Sequence, residues 1–285
     1  MSFLWFQHEL RVRCLTDGQR WLSSQSVVRV CILFAAGTNC DQESAYAFEL
    51  VGAVPEVVHV NRFRTGERKL EDFQILLIPG GFSYGDYIAS GRIFANELKH
   101  FLRDQIEQFI ACGKLVLGIC NGFQVLVKCG LLPAFERPFE PQTVTLDTND
   151  SGRYEDRWVY LKIEDSPGIF TRNIESPMYL PVAHTEGKFL AKSVDVLGRL
   201  NDNRQVSLRY TTLDGEPATF PDNPNGSEED IAGICDPTGR IFGLMPHPER
   251  FVRREQHPRW HRERVKDPDG NAIFRNAVEY ARKNL

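Results

Sequence analysis

A nucleophile, a base to activate it and an acid to orient the base can all be picked out of this chain by residue type and spacing. Cys120 lies in Leu117-Gly118-Ile119-Cys120-Asn121-Gly122-Phe123-Gln124, with glycine two residues before it and two after it. An apolar run leads into the segment and a helix-like stretch leads out. This is the pattern of a nucleophile elbow, in which a strand ends, the chain turns sharply and a helix begins. Side chains at the flanking positions would clash in so tight a turn, and the central residue takes up a strained backbone. The thiol is then displayed at a helix start, where unpaired N–H groups and the helix dipole favour a thiolate. Most free cysteines are packing residues. Cys31, Cys112, Cys129 and Cys235, in or beside apolar stretches, read that way, and Cys14 and Cys40 carry no signal alone.

A cysteine nucleophile needs a base, and the base needs an orienter. Of the seven histidines, His8 is close to the N-terminus, His59 and His100 fall within expected regular structure, and His257 and His261 sit in an arginine-rich segment. His184 and His247 each follow a strand-like run. His247 stands in Met245-Pro246-His247-Pro248-Glu249, where Pro248 biases it toward an extended conformation. Extended residues at i and i+2 point the same way, so Glu249 is expected to reach one imidazole nitrogen while the other faces the thiol. A proline-rich loop with an exposed ion pair is the plainer reading, and the independent elbow counts against it. Attack on an acyl carbon also needs donors for the developing oxyanion. The elbow places the Asn121 N–H, and the Gly80-Gly81 turn, open to close backbone approach, offers that of Gly81. The chemistry described is acyl transfer through a thioester, with water or an amine as second substrate.

The bulk properties exclude other classes. Hydrophobic residues make up 42% and charged residues 25% of the 285, ordinary for a globular protein. A net charge of -4 gives no reason to expect nucleic-acid binding. No C-x-x-C, H-E-x-x-H, P-loop or G-x-G-x-x-G motif occurs, so nothing in the sequence is built to bind zinc, ATP or a dinucleotide. No apolar run approaches the roughly 18 residues of a membrane span. The start is apolar but brief and lacks a basic lead, unlike a secretory signal. A cytoplasmic protein is expected, with residues 1–27 an extension and 28–285 a single domain.

The elements that must position these residues can be read in order. Val28 to Phe34, Glu56 to Val60, Gln74 to Ile78 and Lys114 to Gly118 are branched, apolar runs that predict buried strands. Asp41 is expected to cap a helix to Leu50, and Ile93 to Ala111 to form a long amphipathic helix with Leu98, Phe101, Leu102, Ile106, Phe109 and Ile110 on its apolar face. Shorter strands are expected at Thr143 to Leu146, Trp158 to Ile163, Met178 to Val182 and Gln205 to Tyr210. A hairpin is expected over Ile231 to Cys235 and Arg240 to Leu244, and a last helix over Ala272 to Arg282. Alternating strands and helices predict an α/β fold, a mostly parallel sheet with helices on both faces and extra antiparallel strands. Ligands of such sheets bind at the carboxyl ends of strands. Gly80-Gly81 and Cys120 both lie at such ends.

Taken with Pro79-Gly80-Gly81-Phe82-Ser83-Tyr84-Gly85-Asp86, the elbow and the His247 segment resemble the class I (triad) glutamine amidotransferases, of flavodoxin-like fold. Within that group the chain is similar to the glutaminase subunits of phosphoribosylformylglycinamidine synthase. Gly37-Thr38-Asn39-Cys40-Asp41, Pro181-Val182-Ala183-His184-Thr185-Glu186-Gly187 and Asn223-Pro224-Asn225-Gly226-Ser227 carry the narrower likeness. The resemblance implies that Cys120 attacks the side-chain amide of glutamine, that His247 and Glu249 complete the triad, and that Gly81 and Asn121 hold the oxyanion. It further implies that Gln124 and the His184 segment bind glutamine. Ammonia would pass to a separate synthetase subunit that converts formylglycinamide ribonucleotide into formylglycinamidine ribonucleotide. ATP and magnesium would then belong to that partner, this chain would carry no cofactor or metal, and a small third subunit could join. Residues 1–27 precede the family's usual start. Phe251 to Asp269 inserts a basic stretch, either a solvated loop or a docking surface.

Three rivals remain at this stage. Another triad amidotransferase would deliver ammonia to a different acceptor. A cysteine α/β-hydrolase shares the elbow, but there the acid precedes the histidine in sequence. A non-catalytic regulatory protein on the same scaffold has no need of a complete triad.

Overall fold

Branched and apolar residues set the first, third and fourth strands, and the computed structural model, which describes residues 27–262 and 267–285, buries nearly all of them. The second strand, expected to be buried over Glu56 to Val60, runs instead over Val54–His59 at the edge of the sheet with only Val58 buried. The strands are β1 (Arg29–Phe34), β2 (Val54–His59), β3 (Ile75–Ile78), β4 (Leu115–Ile119), β5 (Val144–Asp147), β6 (Glu155–Ile163), β7 (Met178–His184), β8 (Lys188–Ala191), β9 (Val206–Thr211), β10 (Ile231–Cys235) and β11 (Ile241–Leu244). The helices are α1 (Asp41–Leu50), α2 (Val60–Arg64), α3 (Arg92–Glu97), α4 (Arg103–Ala111), α5 (Asn121–Cys129), α6 (Val194–Asp202) and α7 (Gly270–Asn284).

One sheet runs β2-β1-β3-β4-β11-β10-β9-β6-β7, and β5 pairs with β8 beside it. The pairs β2/β1, β1/β3, β3/β4 and β4/β11 are parallel. This half has the 2-1-3-4-5 order of flavodoxin-like sheets. From β11 onward the pairings turn antiparallel, beginning with the hairpin that sets Cys235 opposite Phe242. Every residue of β3, β4, β10 and β11 is buried, so the centre of the sheet is covered on both sides. Helix α1 packs on β1, β2 and α7, whereas α5 packs on β3, β4, β11 and α3.

Several local expectations differ from what the fold adopts. Cys40, not Asp41, is the residue that precedes α1, and no side chain caps that helix. The long helix is broken: a π-turn, Leu98–Leu102, separates α3 from α4. A π-turn inserts an extra residue and rotates the next turns of helix about the axis. Phe101 is thereby swung outward to 46% exposure, under the Arg64 guanidinium, while Leu98, Leu102, Ile106, Phe109 and Ile110 stay buried. Cys112 is only partly buried at the end of α4. Strand β8 and helix α6 were not expected, although Ser193 accepts the Val196 N–H at the start of α6 in the manner of a typical N-cap. In the basic stretch after the triad, Phe251, Val252 and His257 are buried, while the other described residues up to 262 are exposed. The expected extension, residues 1–27, falls outside the described residues apart from Val27. Among the described residues no helix is long and apolar enough to cross a membrane.

Candidate active site

The elbow forms as its glycines require. Strand β4 ends at Ile119 and α5 begins at Asn121, leaving Cys120 to make the turn at φ 51°, ψ -107°. For a residue with a Cβ this is a strained conformation of the kind that persists only where the surroundings impose it. The Cys120 N–H donates to the Leu244 carbonyl at 2.8 Å, which ties the turn to β11. A Cβ on Gly118 would come within 2.6 Å of Leu126 and 2.7 Å of the Gly122 carbonyl, and one on Gly122 would fall on the Ile78 carbonyl oxygen. The helix therefore sits against β3 and β4 too closely for any other residue at either place.

The base arrives on the neighbouring strand. Because β11 pairs in parallel with β4, with Leu244 beside Ile119, the segment after β11 emerges on the same edge as the thiol. His247 donates its N–H to the Pro181 carbonyl at 2.8 Å. Its Nδ1 is 2.6 Å from Glu249 Oε1, with both side chains almost wholly buried. The contact arises differently from the extended i, i+2 arrangement expected. His247, at φ -106° and ψ 88°, falls short of extended backbone, and Pro248–Arg250 forms a single 3-10 turn that folds Glu249 back under the imidazole. Burial alone would push the His247 ring down. The Glu249 carboxylate and then the Cys120 thiol outweigh it and hold the ring well above its ordinary value.

The Cys120 sulfur belongs to a residue only 5% exposed and is directed at the Ala183 carbonyl, 3.8 Å away. The imidazole Nε2 is buried with no hydrogen-bond partner. The place a Cβ on Gly80 would occupy is 2.9 Å from the His247 Cε1 and 3.5 Å from the Cys120 Cβ, so nucleophile and base converge over that glycine. Glycine at 80 is required by the imidazole itself. Gly81, at φ 139°, closes against Thr38. The Gly80 carbonyl accepts from the Asn39 and Cys40 N–H groups, and the Phe82 N–H donates to the Gly37 carbonyl. The N–H groups of Gly81 and of Asn121, the latter in the first turn of α5, enter no such bond and remain available to an oxyanion.

A cavity of about 250 Å³ opens on the thiol, lined among others by Gly81, Asp86, Gln124, His184 and Glu186. That is smaller than the ~300–1,000 Å³ of drug-sized ligand sites and suits an amino acid. The Asn121 side chain donates to Asp86 and Gln124 and accepts from the Ser83 N–H, binding the 82–86 loop to the elbow helix. Gln124 donates to the Glu186 carbonyl at 2.6 Å. His184 is pushed down to about 3 by burial and then by the positive charge of His247, and so is neutral. Its Nδ1 is 3.1 Å from Asn149 Oδ1, an oxygen that also accepts from the Gly187 N–H. The proton is therefore on Nδ1, and Nε2, buried without a partner, presents a lone pair. Asn225 and Ser227 brace this turn, Asn225 donating to the Gly187 carbonyl at 2.9 Å and Ser227 accepting from Phe189.

All seven residues singled out in the sequence, Cys120, His247, Glu249, Gly81, Asn121, Gln124 and His184, are thus brought to one edge of the sheet. Sequence reasoning missed the two pocket carboxylates, Asp86 and Glu186. Both were in quoted motifs, but acidic residues in polar loops carry no signal until the fold turns them into a pocket. Asp86 is raised above its ordinary value, chiefly by burial.

An elbow cysteine on a flavodoxin-like sheet with a His–Glu pair after the last parallel strand defines a triad amidotransferase. The chain belongs to the glutamine amidotransferases: the model of the CobB/CobQ-like glutamine amidotransferase domain matches residues 27–281. Within them it belongs to the PurQ family. It is 49% identical over 261 residues to the phosphoribosylformylglycinamidine synthase subunit PurQ of Dehalococcoides mccartyi, spanning 90% of this chain and 99% of that protein. To the PurQ subunit of Methanococcus maripaludis strain S2 it is 42% identical, over 90% of this chain and 98% of the relative. Among solved structures it matches PurLQS from Thermotoga maritima with a TM-score of 0.68 and 32% identity, over 89% of this chain and 99% of that one. A GMP synthase subunit from Thermoplasma acidophilum, at TM-score 0.53 and 14% identity over 90% of this chain and 94% of that one, shares the fold.

Proposed function

We propose that this chain is the glutaminase subunit of a phosphoribosylformylglycinamidine synthase, supplying ammonia for purine biosynthesis. The observation that carries the reading is the buried line of Cys120, His247 and Glu249 beside an amino-acid-sized cavity. Glutamine enters with its side-chain amide over Cys120. Asp86 and Glu186 face its ammonium group, and the His184 Nε2 lone pair accepts a further N–H. His247, held by Glu249, first takes the thiol proton, and the resulting thiolate beside the imidazolium attacks the amide carbon. The negative charge moves on to the amide oxygen, where the Gly81 and Asn121 N–H groups receive it. His247 returns the proton to the departing nitrogen, ammonia leaves, and a thioester remains. Water, deprotonated by the same imidazole, cleaves the thioester to glutamate and restores the thiol.

Ammonia then passes to a synthetase subunit, on which ATP and magnesium act, with a small third subunit completing the complex. The supports are the PurQ relatives and the likeness to the PurLQS structure. Cytoplasmic residence follows from this role. In the assembled complex, Cys120→Ala is expected to abolish glutamine-dependent synthesis while ammonia-dependent synthesis persists. Undiminished use of glutamine by that variant would end the proposal, and delivery of ammonia to a different synthetase would redirect it to another acceptor.

A further inference from the structure

The triad has a neighbour that the reaction does not use. Cys40, at the start of α1, is a buried free thiol. Its sulfur, a ring nitrogen of His247 and a carboxylate oxygen of Glu249 all lie within 4.8 Å of one another, and all three residues are buried. The position that a Cβ on Gly80 would take is 3.1 Å from the Cys40 sulfur, 2.9 Å from the His247 Cε1 and 3.5 Å from the Cys120 Cβ. Two thiols therefore flank one imidazole. The Cys40 sulfur donates to Asn39 Oδ1 at 3.2 Å and receives an N–H from Arg250 Nη2 at 3.2 Å. Burial pushes the Cys40 thiol up to about 11, against the opposing pull of His247 and of Arg250, which is itself held by Glu43, so Cys40 is a thiol that an ion would deprotonate.

Independently, His247 Nε2 and Glu249 Oε2 are buried atoms with no hydrogen-bond partner. Such atoms are few in folded proteins and each asks for a reason. With Nδ1–H given to Glu249 Oε1, Nε2 is the ring atom left to face the thiols, and release of its proton gives a lone pair there. An imidazole whose second nitrogen is held by a carboxylate is the usual form of a metal-bound histidine. Two cysteine sulfurs and one such nitrogen match a zinc-like ion and not magnesium or calcium, which take oxygen ligands.

We propose that Cys40, Cys120 and His247 form a binding site for a thiophilic divalent cation, Zn2+ being the type case, and that its occupation silences the catalytic thiol. The silencing rests on Cys120 and His247 being nucleophile and base. Cys120 turns its sulfur from the Ala183 carbonyl on to the ion. Two metal–sulfur bonds and one metal–nitrogen bond form, whatever protons the two thiols and the His247 Nε2 carry leave to solvent, and no oxidation state changes. The ligand–ligand edges of a tetrahedral zinc site are about 3.5 Å. The Cys40 sulfur and the His247 nitrogen, now within 4.8 Å of each other, therefore need to close by no more than about 1.3 Å. The three ligands come from the loop after β1, the elbow and the segment after β11. No local sequence motif could announce them.

The test uses Co2+ as an optical probe of the full chain in oxygen-free buffer. One equivalent is expected to bind with thiolate-to-cobalt charge-transfer absorption in the near ultraviolet, displaced by Zn2+. Loss of even an outer-shell partner weakens metal sites about 10–100-fold, so Cys40→Ser and Cys40→Ala are each expected to weaken Co2+ by at least about tenfold. The Zn2+ concentration that half-inhibits glutamine hydrolysis in the complex should rise by a similar factor. Absence of the charge-transfer band from the unsubstituted chain overturns the proposal without recourse to any variant. So does unchanged Co2+ affinity and spectrum in both Cys40 variants. A chain that binds Co2+ as described yet hydrolyses no glutamine in its complex refutes the glutaminase reading instead and leaves the metal site standing.

Discussion

Replacing Glu249 by glutamine probes the part of the site that distinguishes a working triad from a buried polar cluster. The carboxylate is fully buried and its Oε1 is 2.6 Å from His247 Nδ1, so Glu249→Gln keeps the shape and removes the charge. A hydrogen bond to a charged group contributes about 1.5–3 kcal/mol. At about 1.36 kcal/mol per tenfold, that alone predicts a loss of roughly 10- to 150-fold. An amide can also present its NH2 to Nδ1 and select the wrong tautomer, an error that cost about 10⁴-fold in a serine protease triad. The expected fall in glutaminase kcat/KM is therefore about 10²- to 10⁴-fold, read as glutamate release by the complex, with ammonia-dependent synthesis as the internal control. The pH profile has a definite sign. Glu249 supplies the largest upward push on His247, against a burial that pushes the ring down. In the variant, imidazolium is lost at lower pH, so the alkaline fall in activity moves toward acid. The same linkage acts on stability. A ring raised above its unfolded value of about 6.5 stabilises the fold fully below that pH, and the contribution is lost as pH rises through the folded value. A loss smaller than tenfold with an unmoved alkaline limb would refute the triad reasoning.

Gly80→Ala places a methyl 2.9 Å from the His247 Cε1, and a displacement of about 1 Å at a reacting group costs on the order of 10²-fold, so kcat should fall far more than the melting temperature; equal turnover would show that the imidazole has room to move. Glu186→Gln and Asp86→Asn should raise the KM for glutamine by roughly tenfold or more with a smaller effect on kcat, since each removes a charge facing the ammonium group; steady-state kinetics with glutamine concentration varied would settle it, and an unchanged KM would remove these carboxylates from recognition. The isolated chain is expected to hydrolyse glutamine poorly, because glutaminase and ATP chemistry are divided between subunits; equal turnover with and without the synthetase would refute that coupling.

Much of the parallel half of the fold was legible in the sequence because its strands are uninterrupted apolar runs. Such runs have no alternative to burial on both faces, and β1, β3 and β4 begin and end within a residue of them. The elbow was legible for a similarly local reason: glycine, strand and helix are adjacent in the chain, and steric exclusion by the Gly122 carbonyl acts over a few residues. Other features depended on partners far away in sequence. The π-turn at Leu98–Leu102 and the outward Phe101 do not follow from periodicity, which is intact on paper. Helix α6 and strand β8 lie in a polar stretch with a weak apolar pattern, stabilised by packing that only the assembled fold provides.

By itself, the sequence determined the kind of chemistry. An elbow cysteine, a histidine after a strand and a carboxylate two residues on admit few reactions, since each residue type carries its own reactivity wherever it is placed. Tertiary structure decided what those residues meet. The parallel pairing of β4 with β11 brings His247 beside Cys120 from far along the chain, and a 3-10 turn at Pro248, not an extended strand, delivers Glu249 to it. Folding also gave Asp86 and Glu186 a common cavity and set Cys40 against the catalytic imidazole. The physical reason is that reactivity is a property of the side chain, whereas distance, burial and the charges that surround it belong to the packed molecule.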